Sequence, residues 1–258
     1  MELKWLGTAG FEFKTGNHTF FVDPFLSRNK EARPKQEICP SELAPVDQIF
    51  LSHGHFDHIR DIPQIALQTR PGIYCSSLLA KRLINKKIDS SQIVPITHDQ
   101  ITFDFQVFQA QAFFSTHIRF DFLLVLSTLL RINLKILNYL PLLRNYPCGQ
   151  VLSWRFFIED KIIQFFGSGG STLSELDILR DPPIDILLVP LQGHSNICDI
   201  GLEYVRVLKP KIVIPHHFDN FFPPISQQIN IQAFIEKVQA NYPDSLVVTP
   251  RMNKSMTF

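Results

Sequence analysis

The sequence predicts an α/β (α+β) chain in which two sheets pack face to face with helices outside. Three observations carry this. Residues 1–22 break into three short apolar runs separated by glycine turns. Later apolar runs at 46–51, 184–189 and 211–215 alternate with stretches whose apolar residues recur at helical spacing. The succession of strands and then helices occurs twice along the chain, in two similar halves.

The elements follow in order. Residues 3–6, 11–14 and 19–22 read as strands of an antiparallel meander, divided by Gly7, Gly10 and the Gly16-Asn17 turn, and Asp23-Pro24 ends it. Residues 27–45 are polar and proline-bearing and read as a loop. The strand at 46–51 leads to Ser52-His53-Gly54-His55-Phe56-Asp57-His58, and a helix is expected over 59–67, with Ile59, Ile62, Ile65 and Ala66 on one face and Pro63 near its start, where proline is tolerated. A strand at 72–75, a helix at 77–84 and one or two strands over 101–112 come next, the last ending at Ser115-Thr116-His117. Strands at 150–158 and 161–166 flank a Glu159-Asp160 turn. Gly167-Ser168-Gly169-Gly170 then opens a helix at 172–179. A buried strand at 184–189, a helix at 201–208, a strand at 211–215 ending in His216-His217-Phe218-Asp219, a helix at 229–240 and a strand at 246–248 complete the chain. No repeat or linker interrupts it, so residues 1–258 read as one domain with an insertion at about 120–147.

That insertion is the least regular part. Residues 122–143 are strongly apolar and read as one or two helices ended near Pro141. Arg131 and Lys135 interrupt them, and no uncharged run reaches the roughly 18–20 residues a membrane span needs. Two roles fit: a helical hairpin buried against the domain or a second subunit, or an apolar lid or lipid-facing surface.

Composition narrows the function. The chain has 258 residues, 45% of them hydrophobic and 19% charged, enough for a sizeable core. Its formal net charge of +1 does not supply the basic face that a nucleic-acid partner needs. The four cysteines, at 39, 75, 148 and 198, form no Cys-x-x-Cys pair, so free buried thiols in a reducing cytoplasm are expected. The start, Met1-Glu2-Leu3-Lys4-Trp5, does not read as a signal peptide.

The chemistry concentrates at residues 52–58, where three imidazoles and a carboxylate fall within six residues. Neutral imidazole nitrogen and carboxylate oxygen suit a borderline cation such as Zn²⁺. A purely structural use is hard to build, because three adjacent histidines would each need burial with a partner or full exposure. The motif lies on a loop between a strand end and a helix start, where a rigid scaffold can hold a site.

His-x-His-x-Asp-His after a buried strand resembles the metallo-β-lactamase superfamily. Leu6-Gly7-Thr8-Ala9-Gly10-Phe11 and Val22-Asp23-Pro24-Phe25-Leu26 are similar to the branch that holds L-ascorbate-6-phosphate lactonase and the N-acyl-phosphatidylethanolamine-hydrolysing phospholipase D. The resemblance runs to about Pro224, outside the insertion. It implies a four-layer αββα sandwich. It also implies one site from His53, His55 and His117, with an open position for water, and a second from Asp57, His58 and a histidine of the 216–217 pair. The Pro-x-His pattern selects His217, since Pro215 lies two residues before it. Asp23 would orient a bound histidine from behind, its alternative being a turn-forming Asp before proline. Zinc is the expected cofactor, as one or two ions, with manganese or iron as alternatives. The chain departs from the family at Ser168, where a metal-bridging aspartate is usual, so the second site should bind more weakly unless Asp219 or Asp121 substitutes.

Together these readings point to a metal-dependent hydrolase that directs a metal-bound hydroxide at an ester, lactone or phosphodiester, with a small-molecule or lipid-like substrate. Asp57 and His194 are the candidate catalytic groups. His194, after the strand at 184–189, suits general-acid work or an oxyanion contact, and an inconsequential loop position fits equally. The rival reading is a regulatory or non-catalytic metal-binding protein, favoured by Ser168. A nuclease is disfavoured by the near-neutral charge. No nucleic-acid partner is expected. Peripheral membrane contact and homo-oligomerisation both remain compatible with the insertion.

Overall fold

The computed structural model describes residues 1–132 and 144–258. The amino-terminal half supplies β1 (Glu2–Gly7), β2 (Gly10–Thr15), β3 (His18–Val22), β4 (Gln48–Phe50), β5 (Gly72–Ser76) and β6 (Ile93–Ile96). The second half supplies β7 (Ile101–Asp104), β8 (Phe108–Ser115), β9 (Val151–Ile158), β10 (Lys161–Phe166), β11 (Ile186–Pro190), β12 (Ile212–His216) and β13 (Leu246–Val247). A last strand, β14 (Ser255–Thr257), returns to pair with β1. Among the described residues the sheets run β14-β1-β2-β3-β4-β5-β6 and β13-β12-β11-β10-β9-β8-β7. β1 to β3 form the expected antiparallel meander, and β3 to β6 are parallel. In the second sheet β10 to β13 are parallel, and β8 and β9 are antiparallel neighbours.

The layering follows from period-two burial. Along β11, Ile186 and Leu188 face the space between the sheets while Leu187 and Val189 face the helices. The inter-sheet core is aromatic, with Trp5, Phe11, Phe13, Phe20, Phe50, Trp154, Phe156 and Phe165 all fully buried or nearly so. Phe20 stacks on Phe13 at 4.6 Å and on Phe108 at 4.4 Å, joining the two sheets. Each such side chain contributes about 1.5–3 kcal/mol by leaving water. Helices Ile62–Thr69 and Ser77–Asn85 cover the outer face of the first sheet. Leu173–Ile178, Ile197–Leu208 and Gln232–Asn241 cover that of the second. The result is the expected αββα sandwich.

Several boundaries differ from expectation. The helix expected over 59–67 is two helices, Phe56–Ile59 and Ile62–Thr69. Pro63 fits only a first turn, so the chain restarts there, and Asp61 between them accepts hydrogen bonds from the Leu26 and Ser27 backbone. The helix expected from 201 begins at Ile197. β6 and β14, unanticipated, are short edge strands; Pro95 is tolerated in β6 because an edge needs fewer donors. Of the four thiols, only Cys75 is buried; Cys39 is exposed and Cys148 and Cys198 are half-buried, which corrects the uniform expectation.

In the insertion, Phe122–Ile132 is a helix. Its burial pattern contradicts a helix buried on one face within this chain: only Ile132 is buried, while Phe122, Leu123, Leu126, Leu129 and Leu130 are exposed. The expected continuation over 133–143, with Leu134, Lys135, Leu137 and the stop at Pro141, lies outside the described residues. Among the described residues no helix is long and apolar enough to cross a membrane.

Candidate metal centre

The residues that follow β3, β4, β8 and β12, namely Asp23, Ser52 to His58, His117 and His217, meet along one edge of the sandwich. The Leu152 amide donates to the Ser52 carbonyl at 2.8 Å and Trp154 Nε1 to the Leu51 carbonyl at 3.2 Å, so the histidine loop is pinned to the opposite sheet. A Cβ at Gly54 would lie 2.3 Å from the Pro147 carbonyl oxygen. Only glycine lets the returning chain close over the loop.

The nitrogens of His53, His55 and His117 and the sulfur of Cys148 all lie within 4.8 Å of one another. His53 Nε2 and His55 Nδ1 are 3.1 Å apart. Two nitrogens bound to one tetrahedral zinc at 2.0–2.1 Å would lie about 3.3 Å apart, so the pair is already near that spacing. His117 Nδ1 donates to the Ile118 carbonyl at 2.6 Å, which leaves Nε2 for the cluster. His53 Nδ1 is engaged by Ser52 Oγ at 2.9 Å.

A second group joins Asp57, His58 and His217, again within 4.8 Å. Asp57 Oδ2 lies 3.7 Å from His58 Nε2 and 3.3 Å from His217 Nε2. The far side of His58 is held by Asp23, whose Oδ2 is 2.7 Å from Nδ1. Asp23 also accepts from the Ser52 amide at 2.7 Å and from the Ser52 hydroxyl. One buried carboxylate thus supports both groups. The His53 and His58 ring centroids are only 3.9 Å apart, so the two groups are contiguous.

Protonation follows from burial and neighbours. Burial holds His53 well below the ordinary imidazole value, and His58, His55 and His117 add to this. Burial lowers His55 to about 4, opposed by Asp57 and aided by His117. His117 is lowered chiefly by burial, against its bond to Ile118. All three therefore favour the neutral form that metals bind. His58 is raised: burial opposes the charge, but Asp23 and Asp57 outweigh it. Asp57 stays ionised, because His58 and His217 overcome the cost of its burial. Burial pushes the Cys148 thiol up to about 11.

The choice between His216 and His217 is geometric. In β12, Ile214 and His216 share the inward face, and His216 stacks on Phe165 at 5.4 Å with its edge toward Phe11 at 5.2 Å. His217 leaves the strand with φ 60° while its amide donates to the Thr8 carbonyl, and this turn carries the ring to Asp57. Its Nδ1 is buried without a hydrogen-bond partner among the described residues. The neutral imidazoles of His53, His55 and His117 and the ionised Asp57 are the donor set of a divalent cation.

Other expected residues stand apart. Ser168 is buried and accepts from the Ile118 amide at 2.9 Å. Asp219 is taken by the Thr8 amide and by Arg28, and Asp121 by the Ser195 amide and hydroxyl. Neither carboxylate joins the two clusters. His194 does not join them either; its Nδ1 accepts from the Asn196 amide at 3.0 Å and lies 3.9 Å from Asp121. Cys148 is the group that the sequence did not offer. It lies 93 positions from His55 with no partner cysteine at motif spacing, and only the fold brings it near.

Aromatic rings wall the edge: Phe221 lies 5.0 Å from His217 and Phe120 lies 6.0 Å from His117. Residues 2–217 match a family profile described as a beta-lactamase superfamily domain. A UPF0173 metal-dependent hydrolase of Staphylococcus aureus is 29% identical over 236 residues, which cover 88% of this chain and 89% of the relative. Among solved structures, Igni18, a metallo hydrolase of Ignicoccus hospitalis, superposes with a TM-score of 0.73 at 16% identity, over 100% of this chain and 97% of its own. An isothiocyanate hydrolase from Delia radicum gut bacteria gives 0.67 at 16% identity, over 100% and 99%. At such identities the structural likeness speaks for the fold alone.

Proposed function

Since this chain belongs to the metallo-β-lactamase superfamily, we propose that it is a metal-dependent hydrolase acting on an ester, lactone or phosphodiester with an apolar portion. The observation that carries the reading is the pair of contiguous ligand groups, His53-His55-His117 and Asp57-His58-His217, on one edge of the sandwich. A bound divalent cation supplies Lewis acidity and lowers the pKa of a coordinated water to about 7. The chain's own part is positional. Ser52, Asp23 and the Ile118 carbonyl fix the imidazoles from behind, so their free nitrogens converge. Asp57 is kept ionised, able to hold a cation or to accept a proton from a bound water. Phe221, buried beside His217, and Phe120, on the His117 side, favour an apolar substituent. His194, 3.9 Å from Asp121 and outside both ligand groups, is assigned the leaving-group proton on its sequence position alone.

The Gly-Thr-Ala-Gly and Val-Asp-Pro segments support placement near the lactonase and phospholipase branch, and the exposed leucines of Phe122–Ile132 support a lipid-like substrate. A panel of ester, lactone, phosphodiester and phospholipid substrates, assayed with and without chelator, tests the reading. Turnover that chelation abolishes supports it. Chelator-insensitive turnover contradicts it.

A second reading, a metal-binding protein without turnover, draws on Ser168. A neutral hydroxyl stands where the family usually has a bridging aspartate, and that hydroxyl is engaged with the Ile118 amide. Metal bound in near-stoichiometric amount with no turnover across the whole panel would favour it.

A further inference from the structure

We propose that Cys148 is a fourth ligand of the His53-His55-His117 site, its thiolate closing the position that a water would otherwise take. The inference rests on these three histidines holding a metal. The sulfur and the three imidazoles lie within 4.8 Å of one another, close enough for one ion to draw them together. The thiol is not on a swinging loop. The Gly54 amide donates to the Cys148 carbonyl at 2.8 Å, and Pro147 presses on Gly54 so closely that no side chain fits there. Just upstream, Arg82 donates to the Asn145 carbonyl at 2.7 Å and the Lys86 ammonium lies over the Tyr146 ring at 4.6 Å. Downstream, Gln150 reaches the Ser115 carbonyl at 3.2 Å. The backbone carrying the sulfur is therefore clamped to the same loop and strand ends that carry the histidines.

Two consequences follow from coordination chemistry. Thiolate is a soft ligand, so a three-histidine site with Cys148 selects zinc over manganese more strongly than imidazoles alone. Four protein ligands around a tetrahedral ion make a closed site, whereas a hydrolytic site keeps one position open. Cys148 therefore gives the site two states. In the closed state a sulfur–metal bond has formed and the thiol proton has gone to solvent. In the open state that bond would be broken, the sulfur would have taken a proton back from solvent, and the fourth position would be free for water. A reagent that caps the sulfur holds the site open.

Cobalt(II) substitution reads the sulfur directly. Metal-free protein is titrated with cobalt(II), alongside Cys148→Ser and a Cys198→Ser control. The proposal expects a near-ultraviolet sulfur-to-cobalt charge-transfer band in wild type and Cys198→Ser, and its loss in Cys148→Ser while the visible ligand-field bands remain. Ligand-field bands without the charge-transfer band in wild type overturn the thiolate and leave the histidine site standing. Absence of both removes the metal site and the proposal with it. Should Cys148→Ser fail to fold, alkylation of wild-type protein mapped by mass spectrometry decides. Zinc protection of Cys148 but not of Cys198 supports the proposal, and equal labelling with and without zinc overturns it.

Discussion

Asp23 Oδ2 lies 2.7 Å from His58 Nδ1, while the opposite nitrogen of the same ring faces Asp57 at 3.7 Å. A carboxylate can only accept, so Asp23 fixes the proton on Nδ1 and leaves Nε2 as a ligand. Removing such a partner typically costs 10–100-fold in metal affinity. Asp23→Ala should therefore weaken the Asp57-His58-His217 site by about that factor in a chelator competition, with a smaller effect on the three-histidine site. Equal weakening of both sites would show that Asp23 acts only through Ser52 and the loop.

Ser168→Asp should raise the metal-to-protein ratio toward two. If position 168 is the family's bridging position, a carboxylate there would supply both a ligand and negative charge, and it can still accept from the Ile118 amide. Chelator titration of wild type and variant reads this. Identical stoichiometry and affinity would mean that position 168 does not face the metals.

Metal-free protein should lose stability as pH falls below about 6.5. The imidazoles of His53, His55, His117 and His216 have folded-state values below their unfolded value, so the unfolded chain binds protons first and stability drains between about 6.5 and the folded values. His58 works in the opposite direction, since its raised value stabilises at low pH, but it is one group against four. Tm should therefore be lower at pH 5 than at pH 7, each kcal/mol of stability lost being worth roughly 2–4 °C. A Tm that is flat or rising on acidification would contradict the assigned protonation states.

The leucines of Phe122–Ile132 should be dispensable for folding. Leu126 and Leu130 are 41% and 70% exposed, so Leu126→Ser with Leu130→Ser should change stability by less than about 1 kcal/mol. The same variant should lose liposome binding or turnover of acyl substrates if this helix meets lipid. A large fall in Tm, or a change in oligomer size, would assign the face to a protein partner instead.

Much of this was legible in the chain because local pattern and tertiary burial agree. The strand before the histidine loop, the strand before His216-His217 and the His-x-His-x-Asp-His loop between strand and helix follow from period and composition, although the strands expected at 46–51 and 211–215 run Gln48–Phe50 and Ile212–His216. Even the choice of His217 has a local cause: His216 shares the parity of Ile214 and must face the sheets. The short edge strands β6 and β14 carry too few residues to show alternation. Cys148 was unreadable because its role depends on where the chain returns after the insertion, a long-range contact fixed by Gly54. The exposure of Phe122–Ile132 was open for the same reason, since an apolar helix reads alike whether it faces a core or a membrane.

A metal held by His53, His55 and His117 underlies the proposed hydrolysis. The most direct test is elemental analysis of purified wild type beside His53→Ala with His55→Ala, both checked for folding by circular dichroism. Wild type should carry close to one equivalent or more of zinc, manganese or iron, and the folded double variant should lose most of it. Unchanged metal content in the folded variant, or wild type that neither carries nor takes up a divalent cation, would contradict the account.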